Sequence, residues 1–499
     1  MTAPQSHRKF VLSSGYARLP ERFFARLDPV PVAAPRLIRF NRALAADLGL
    51  PAGGIDDAEL AAIFSGNVLP EGALPIAMAY AGHQFGGFVP QLGDGRAILL
   101  GEATDRAGVR RDIQLKGSGR TPFSRNGDGR AALGPVIREY LVGEAMHALG
   151  IPATRALAAV ASGETVHRER PLPGAVFTRV AASHVRVGTF QYFAARGDLE
   201  AVRLLADYVT LRHFPELGAG QYLALLREVM DRQARLIANW MCVGFIHGVM
   251  NTDNMAVSGE TIDFGPCAFM DSYDPAAVFS SIDSGGRYAY SNQPRAAQWN
   301  LARFAETLLA LIDPEEARAV ELATAEIARF PSIFEAYWLA GMRRKLGLAS
   351  AEAGDSDLVR ALLETMHAGE ADFTLTFRRL CEDAAGQPAA GSPAAGARSS
   401  FAQPAAFDAW AELWVSRLAR EAATPALRAA AMRRANPAYI PRNHRIEQAI
   451  EAAVEGAEFA PFDKLDAVLA RPFETQDGCE AFAQAPRPAE RVLQTFCGT

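Results

Sequence analysis

The apolar residues of two long segments recur with the period of an α-helix. In residues 134–150 the apolar positions lie three or four residues apart, and the segment ends at Gly150, a residue typical of helix ends. Residues 223–241 carry a similar apolar stripe, which predicts a helix that packs against the core. The two stripes consist of Val136, Ile137, Leu141, Ala145 and Leu149, and of Leu226, Val229, Met230, Leu236, Ile237 and Trp240.

Earlier parts of the chain have the alternating or glycine-rich pattern of strands and turns. Residues 110–116 (RRDIQLK) place Ile113 and Leu115 on one face of a predicted strand that ends at a glycine turn. Residues 81–102 are glycine-rich and predict extended structure. Residues 36–50 (RLIRFNRALAADLGL) predict a short helix.

Strands come first and helices later, which predicts an α+β fold with two lobes. The pattern is mainly helical from about residue 200, including residues 298–347, whereas the Ala/Gly/Pro/Ser-rich residues 384–400 predict a mobile surface loop. We expect four parts along the chain: an N-terminal extension at 1–80, a strand-rich N-lobe at 81–195, a helical C-lobe at 196–345, and a helical extension with a cysteine-containing tail at 346–499.

The bulk composition argues against several classes of protein. At roughly 100–200 residues per domain, the 499 residues suggest two to four domains or lobes. A net charge of −5 argues against a nucleic-acid coat protein and against a polybasic membrane binder. We expect no membrane span and no secretory signal, because long apolar runs are missing from the sequence. A monomer is the default expectation.

The cysteines are scattered along the chain without a CxxC pair, which argues against a structural zinc site. Their odd number favours free thiols, so we expect a cytoplasmic protein in a reducing compartment. The five residues are Cys242, Cys267, Cys381, Cys479 and Cys497.

Residues 247–265 (HGVMNTDNMAVSGETIDFG) look like the metal-binding loops of a protein kinase. Asn254 has the kinase spacing for a metal ligand, and Asp263 precedes Phe-Gly as the kinase Mg²⁺ ligand does. An amide oxygen and a carboxylate oxygen suit Mg²⁺, and a hairpin bent at Ser258 and Gly259 would bring them together. A turn Asp at the end of a strand is the alternative for Asp263.

The residue that accepts the proton in ordinary kinases is missing from this loop. In kinases an Asp lies two residues after the His, whereas here that position is Val249. We expect His247 to be a structural turn residue and not a base. The loop alone leaves open whether the chain still transfers a group from a nucleotide.

Upstream residues occur in the order of a kinase nucleotide site. Lys116 lies on a predicted strand and Glu139 on the next helix, as in the kinase ion pair that positions the Lys against phosphate oxygens. In LGDGRA, Gly93 and Gly95 would let backbone N–H groups approach an anion, and Arg96 would bind phosphate. An ordinary hairpin turn is the alternative for this loop.

Two further features are unusual for a kinase. Residues 126–130 (NGDGR) insert a second glycine turn with an acid between the candidate Lys and Glu. Residues 176–190 carry Arg179 and Arg186, which are candidate phosphate ligands. A strand with solvated Arg side chains is the alternative.

Taken together, these motifs resemble the selenoprotein O family, also called the YdiU family, over nearly the whole chain. The segments that carry the resemblance are AGHQFGGFVPQLGDGRA, QLKGSGRTPFSRNGDGRA, REYL, SHVRVGTF, FIHGVMNTDNMAVSGETIDFGP and GRYAYSNQP. The resemblance implies a pseudokinase fold in which ATP lies inverted relative to ordinary kinases. It also implies an enzyme that transfers AMP to Ser, Thr or Tyr hydroxyls of proteins and releases pyrophosphate.

The resemblance also assigns roles to single residues. Asp253 would accept the hydroxyl proton, with orientation of Asn254 as its alternative role, while Asn254 and Asp263 would hold Mg²⁺ or Mn²⁺. Glu139 would pair with Lys116. The nucleotide ligands would be Gly93, Gly95, Arg96, Lys116, Asp128, Gly129, Arg179, Arg186 and Asp263, with Asp128 and Gly129 at the base end.

Three other functions share most of these residues. They are phosphate transfer to a protein or a small molecule, UMP transfer with Mn²⁺, and ATP binding by a scaffold without turnover. The resemblance further implies a cysteine near the C-terminus, which Cys497 provides. A Cys267–Cys497 bridge and a free, exposed Cys497 both stay open.

Overall fold

The computed structural model describes residues 5–50, 53–386 and 394–496 of the chain. Its strands are β1 Gln5–Val11, β2 Phe24–Arg26, β3 Arg36–Phe40, β4 Val68–Glu71, β5 Ile76–Met78, β6 Gly82–Gln84, β7 Gly87–Val89, β8 Ala97–Thr104, β9 Arg110–Lys116, β10 Ala131–Ala132, β11 Arg155–His167, β12 Pro171–Ala181, β13 Phe245–Ile246 and β14 Ala268–Phe269. Its helices are α1 Arg42–Asp47, α2 Asp57–Phe64, α3 Leu133–Ala148, α4 Val187–Ala194, α5 Leu199–His213, α6 Tyr222–Cys242, α7 Gln293–Ile312, α8 Glu316–Ile327, α9 Phe330–Leu346, α10 Asp355–Ala368, α11 Phe373–Asp383, α12 Ala395–Arg398, α13 Pro404–Leu418, α14 Pro425–Ala435, α15 Asn443–Gly456, α16 Ala460–Leu469 and α17 Glu480–Ala483.

An antiparallel sheet dominates the first 181 residues, with the strand order β2-β5-β8-β9-β12-β11-β3 and β10 paired to β12. In β9, Ile113 and Leu115 enter the apolar core that the sheet shares with α1 and α2, as the alternating pattern predicts. Gln114 and Lys116 therefore point to the opposite face of the sheet. That second face forms one wall of the cleft described below.

Helix α3 lies between this second face of the sheet and the C-terminal helices α15 and α16. The predicted helix is confirmed, and Gly150 follows its end with a φ of +76°. Burial extends around almost the whole helix, because Tyr140 packs edge-on against Phe462 on the side away from the sheet. The polar residues Arg138 and Glu139 are buried as well, so each needs a polar partner.

Most of the remaining described chain is helical, with short strands and loops at residues 243–292 and mainly loops over residues 470–496. Helix α6 is confirmed where the apolar stripe predicts it, and it packs against α7 and α9. Helices α10 to α14 enclose a separate apolar core around the stacked rings of Trp410 and Trp414. A sheet-rich first part followed by a helical part confirms the α+β class.

Three local predictions need correction. Residues 36–40 form a strand, because Arg36–Phe40 pairs with β11, and the helix begins only at Arg42. The hairpin predicted around Gly259 is replaced by two arms that pair elsewhere: Ala256 with Arg186, and Thr261 with Ala153.

The third correction concerns the loop predicted at residues 384–400. Within it, Ala395–Arg398 forms the short helix α12, and Ala394 and Ala397 are buried in the second apolar core. Residues 387–393 lie outside the described residues, as does Cys497. Within the described ranges, none of the helices combines the length and apolar character that a membrane crossing needs.

Trp414 offers a test of the second apolar core, because its side chain is fully buried and its indole N–H donates to the Leu346 carbonyl over 2.9 Å. We expect Trp414→Ala to lower the free energy of unfolding by ~3–5 kcal/mol, from the cavity and the lost hydrogen bond. Urea denaturation followed by circular dichroism measures this change. The control is Leu413→Ala on the same helix, where the side chain is 62% exposed and the expected change is below ~0.5 kcal/mol. Equal losses in the two variants would contradict the packing described here.

Candidate functional site

A cleft of about 950 Å³ lies between the sheet and the loops that follow α6. All the residues predicted for nucleotide, metal and proton transfer line this one cleft, although they come from distant parts of the chain. They are Gly93, Gly95, Arg96, Lys116, Asp128, Gly129, Glu139, Arg179, Arg186, Asp253, Asn254 and Asp263. The structure therefore brings these residues together, while their individual roles stay predictions.

The carboxylate of Asp263 is the meeting point of three cations in the cleft. Its Oδ1 lies 2.6 Å from Lys116 Nζ and 3.2 Å from Arg179 Nη1, and its Oδ2 lies 3.5 Å from Arg186 Nη1. Burial alone would raise the pKa of Asp263, but the three cations together hold that pKa well below its usual range. Its φ of +65° places the backbone in the left-handed region, which costs about 1 kcal/mol or more for a non-glycine residue.

Lys116 joins the sheet to helix α3 at this point. Its Nζ lies 2.6 Å from Glu139 Oε1 and is shared with Asp263. The strand register sets this position, because Lys116 lies opposite Ala97 of β8 and Phe177 of β12. The other oxygen of Glu139, Oε2, is buried and has no hydrogen-bond partner among the described residues. The predicted ion pair is thus formed and still holds one unsatisfied acceptor.

The two predicted arginines are almost fully buried, so the alternative of solvated side chains is wrong. Arg179, on β12, is 1% exposed and its Nη2 donates to Gln114 Oε1 over 2.6 Å. Arg186, at the start of α4, is 3% exposed and its Nη1 donates to the Asp253 carbonyl over 2.9 Å. Its guanidinium also stacks over the Tyr80 ring, 4.6 Å from the ring centre. Buried cations of this kind are typical of anion-binding sites.

Two residues that the sequence analysis missed orient these arginines. Asp94 is buried, and its Oδ2 accepts hydrogen bonds from Met78 N and Gln114 Nε2, each over 3.1 Å. Burial raises the pKa of Asp94, against the opposing charge of Arg186, whose Nη2 lies 3.8 Å from Asp94 Oδ1. Alternation along β9 could have revealed Gln114, which shares a strand face with Lys116. Nothing in the Gly-Asp-Gly sequence indicates that its Asp points inward.

The two glycines of the first loop are required by packing. Gly93 has a φ of +76°, and a Cβ there would collide with the Phe123 ring. A Cβ on Gly95 would lie 2.9 Å from the Phe123 carbonyl oxygen. The segment that carries Phe123 is also bonded to the loop, because Thr121 Oγ1 donates to the Asp94 carbonyl over 2.6 Å. Close packing accounts for both glycines. Their approach to an anion stays a prediction, as does the role of Arg96, which also lines the cleft.

The inserted loop lies at the mouth of the cleft. Asp128 accepts hydrogen bonds from Arg168 Nη1 and Nη2 over 2.9 and 3.1 Å, and these bonds lower the pKa of Asp128. Gly129 has a φ of +71°, and any Cβ there would collide with the backbone of Gly119. Arg168, which the sequence analysis missed, also lines the cleft. The loop is therefore held in place at both of its predicted binding residues.

His247 has the structural role that the sequence predicts. It is fully buried, its Nε2 lies 2.9 Å from the Ile262 carbonyl, and its Nδ1 accepts from Val249 N over 3.3 Å. Burial lowers the pKa of His247, which favours the neutral ring that this pair of contacts requires. The residue connects the loop at 247–254 to the segment before Asp263.

Asp253 is a buried carboxylate beside this group of cations. It is 7% exposed, its Oδ2 accepts from Gln84 Nε2 over 3.3 Å, and its Oδ1 has no hydrogen-bond partner among the described residues. Burial raises the pKa of Asp253 to about 6, although the charge of Arg186 opposes the change. A carboxylate with a pKa near neutrality is suited to accept a proton.

The donor set of the cleft fits a hard divalent cation. Asp263 offers carboxylate oxygens, and Asn254 directs its Nδ2 to the Val249 carbonyl over 3.0 Å, which leaves its Oδ1 for a ligand. The described residues contain no group of three or more His, Cys, Asp or Glu side chains that could hold a metal. Oxygen atoms of a nucleotide and of water would have to supply the remaining ligands.

Cys267 is a free, fully buried thiol whose Sγ lies 3.1 Å from the Phe264 carbonyl. Burial raises the pKa of this thiol to about 12, so it is protonated at neutral pH. Since Cys497 lies outside the described residues, a bridge between the two cysteines stays a prediction.

The contribution of the Asp263 charge to folding can be measured as a change in the free energy of unfolding. We expect Asp263→Asn, which tolerates the same backbone conformation, to lower the free energy of unfolding by ~2–4 kcal/mol at pH 7, because three cations lose their shared anion. Since the native pKa is lowered, the wild-type advantage should be constant above about pH 5 and shrink only as the pH falls below about 4. Urea midpoints measured between pH 8 and pH 3.5 test this. The control is Asp128→Asn, because the Asp128–Arg168 pair is more exposed. It should lower the free energy of unfolding by less than ~1 kcal/mol.

Comparison with known proteins assigns the chain to a family. A sequence profile of the family described as protein adenylyltransferase SelO matches residues 8–470. The chain is 65% identical over 488 residues to a protein nucleotidyltransferase YdiU of Rhizobium rhizogenes, covering 97% of this chain and 96% of the relative. It is 63% identical to the YdiU protein of Rhizobium meliloti, covering 98% and 99%, and 62% identical to that of a Bradyrhizobium species, covering 98% and 99%. The chain belongs to the SelO family of protein adenylyltransferases.

Proposed function

We propose that the chain transfers AMP from ATP to Ser, Thr or Tyr hydroxyls of other proteins, on a two-lobed, kinase-like fold. The observation that carries this proposal is the set of cations Lys116, Arg179 and Arg186, which converge on Asp263 in the cleft. Such a set can neutralise a polyphosphate. Membership of a family of protein adenylyltransferases supports AMP as the transferred group.

The arrangement of elements supports the kinase-like part of the proposal. Strands β8, β9, β11 and β12 with helix α3 correspond to an N-lobe in which a strand Lys pairs with a helix Glu. Helices α6 to α9 correspond to a C-lobe that carries the loop with Asn254 and the segment with Asp263. Residues 182–186 join β12 to α4 and would be the hinge between the lobes.

The charges near this hinge support an inverted nucleotide. The hinge contributes Arg186 and the neighbouring β12 contributes Arg179, both buried and both directed at Asp263. An adenine ring placed there would have to desolvate these cations, whereas a triphosphate would pair with them. The base would then lie toward the mouth of the cleft, where the loop with Asp128 and Gly129 is held.

In this proposal, different residues of the cleft bind the phosphates, hold the metal ion and accept the proton. Lys116, Arg179 and Arg186 bind the phosphates and neutralise the charge that develops as pyrophosphate leaves. Asp263 and Asn254 would hold a Mg²⁺ or Mn²⁺ ion, which when bound supplies further neutralisation of phosphate charge. Asp253 accepts the proton of the attacking hydroxyl, because its buried carboxylate is ionised above about pH 6 and Val249 cannot serve.

The transferred group distinguishes AMP transfer from its alternatives. With Mg²⁺ and a protein acceptor, we expect label from α-phosphate-labelled ATP to remain on protein and label from γ-phosphate-labelled ATP to be lost. The Asp263→Ala variant should lose at least ~100-fold in rate, because phosphate positioning and ion binding fail together. Retention of the γ label alone would establish a phosphotransferase, and preference for α-labelled UTP with Mn²⁺ would establish UMP transfer. ATP binding without transfer of either label to any acceptor would support a scaffold.

The pH dependence of transfer tests Asp253 as the proton acceptor. The rate should rise with pH through about 6 and level off above it, since only the ionised carboxylate accepts a proton. We expect Asp253→Asn to reduce the rate by ~10²–10⁴-fold and to remove this acid limb while binding of an ATP analogue is retained. A full acid limb in Asp253→Asn would assign the titration to another group.

A further inference from the structure

The hairpin of β6 and β7 packs directly against the loop that carries Asp253. Its strands pair Gly82 with Val89 and Gln84 with Gly87, and a two-residue turn at Phe85 and Gly86 joins them, with both φ angles positive. The hairpin forms a separate two-stranded sheet and makes no strand pairs with the large one. Its position is therefore set by its contacts with the loop and with α4.

Two backbone hydrogen bonds attach the hairpin to this loop. His83 N donates to Thr252 Oγ1 over 2.7 Å, and Phe85 N donates to Asn251 Oδ1 over 3.0 Å. The hydroxyl of Thr252 in turn donates to Gln191 Oε1 of α4 over 2.6 Å. These bonds tie the hairpin and α4 to the loop at Asn251 and Thr252, the two residues before Asp253.

The alternation of side chains along β6 decides which residues face Asp253. His83 points away from the loop, toward the rings of Phe88 and Trp299, whose centres lie 4.9 and 5.2 Å from its own. Gly82 and Gln84 point the other way, toward the carboxylate. The amide Nε2 of Gln84 donates to Asp253 Oδ2 over 3.3 Å.

Gly82 provides the space that the carboxylate occupies. A Cβ at this position would collide with Oδ1 of Asp253 and would lie 2.9 Å from its Cβ and Cγ. Gly188 lies close to the backbone of the same residue, since a Cβ there would lie 3.2 Å from the Asp253 Cα. The carboxylate is thus packed against Gly82 and held by the side-chain donor of Gln84.

We propose that Gln84 is a positioning residue for the proton acceptor: its amide holds the carboxylate of Asp253 in one orientation. This inference rests on the proposed function of Asp253 and gives a role to Gln84, a residue of the segment AGHQFGGFVPQLGDGRA to which the sequence analysis assigned none. The reason is geometric, since Gln84 Nε2 is the side-chain donor that the described residues offer to this carboxylate, while Arg186 bonds the backbone carbonyl of Asp253.

The test separates kcat from KM in the wild type, Gln84→Leu and the isosteric Gln84→Glu. Loss of the donor leaves the carboxylate of Asp253 without its orienting hydrogen bond, so we expect kcat in Gln84→Leu to fall ~10-fold. Gln84→Glu keeps the shape of the side chain but removes the donor, so its kcat should fall at least as far. KM for ATP, affinity for a non-hydrolysable ATP analogue and the melting temperature should stay near wild type. Because the effect acts through Asp253, adding Gln84→Leu to Asp253→Asn should lower kcat no further.

The matched control is Gln91→Leu, the same substitution at an exposed position just beyond the hairpin. It should leave kcat unchanged. An unchanged kcat in both Gln84 variants, an equal loss in Gln91→Leu, or a further ~10-fold loss when Gln84→Leu is added to Asp253→Asn would overturn the role of Gln84. A wild-type kcat in Asp253→Asn would overturn the assignment of Asp253 itself, and Gln84 with it. Retention of γ-label in the wild type would overturn only AMP transfer, because kcat can be followed with either label.

Discussion

The cleft depends on one electrostatic arrangement: a single carboxylate, Asp263, is shared by three cations whose side chains are largely buried. Each cation would be unfavourable there alone, because an unpaired charge in the interior loses its hydration without compensation. The carboxylates of Glu139 and Asp94 add two further negative charges, so the net charge of the whole group approaches zero. Under the proposed function, a bound polyphosphate would take over the role of the shared anion, and the same cations would serve the structure without nucleotide and the chemistry with it.

This arrangement also requires several elements to fit together. Lys116 comes from β9, Arg179 from β12 and Arg186 from the start of α4, and only the observed strand register points the first two into the same cleft. Helix α3 must be buried on nearly all sides to bring Glu139 to Lys116, and α15 and α16 provide the outer cover. The C-terminal helices thereby contribute to a site whose predicted ligands all lie within residues 93–263.

The loop with Asp253 is fixed by different means. Hydrogen bonds from the hairpin and from Arg186, a buried His247 and close packing of Gly82 hold it. This difference leaves Asp253 with one unpartnered oxygen and a raised pKa, next to an Asp263 whose pKa is lowered. Two carboxylates whose environments push their pKa values apart can serve as proton acceptor and cation ligand side by side.

The sequence alone determined the local elements and the chemical types at the site. Period and spacing predicted β9, α3 and α6, and the order of Lys116, Glu139, Asn254 and Asp263 indicated a nucleotide site, because these signals depend on neighbouring residues. The tertiary structure alone decided what depends on distant contacts. Residues 36–40 became a strand through pairing with β11, Asp94 turned inward to meet Gln114, and the arms around Gly259 paired elsewhere. Gln84 reaches Asp253 across 169 positions of the chain, a contact that no local pattern encodes.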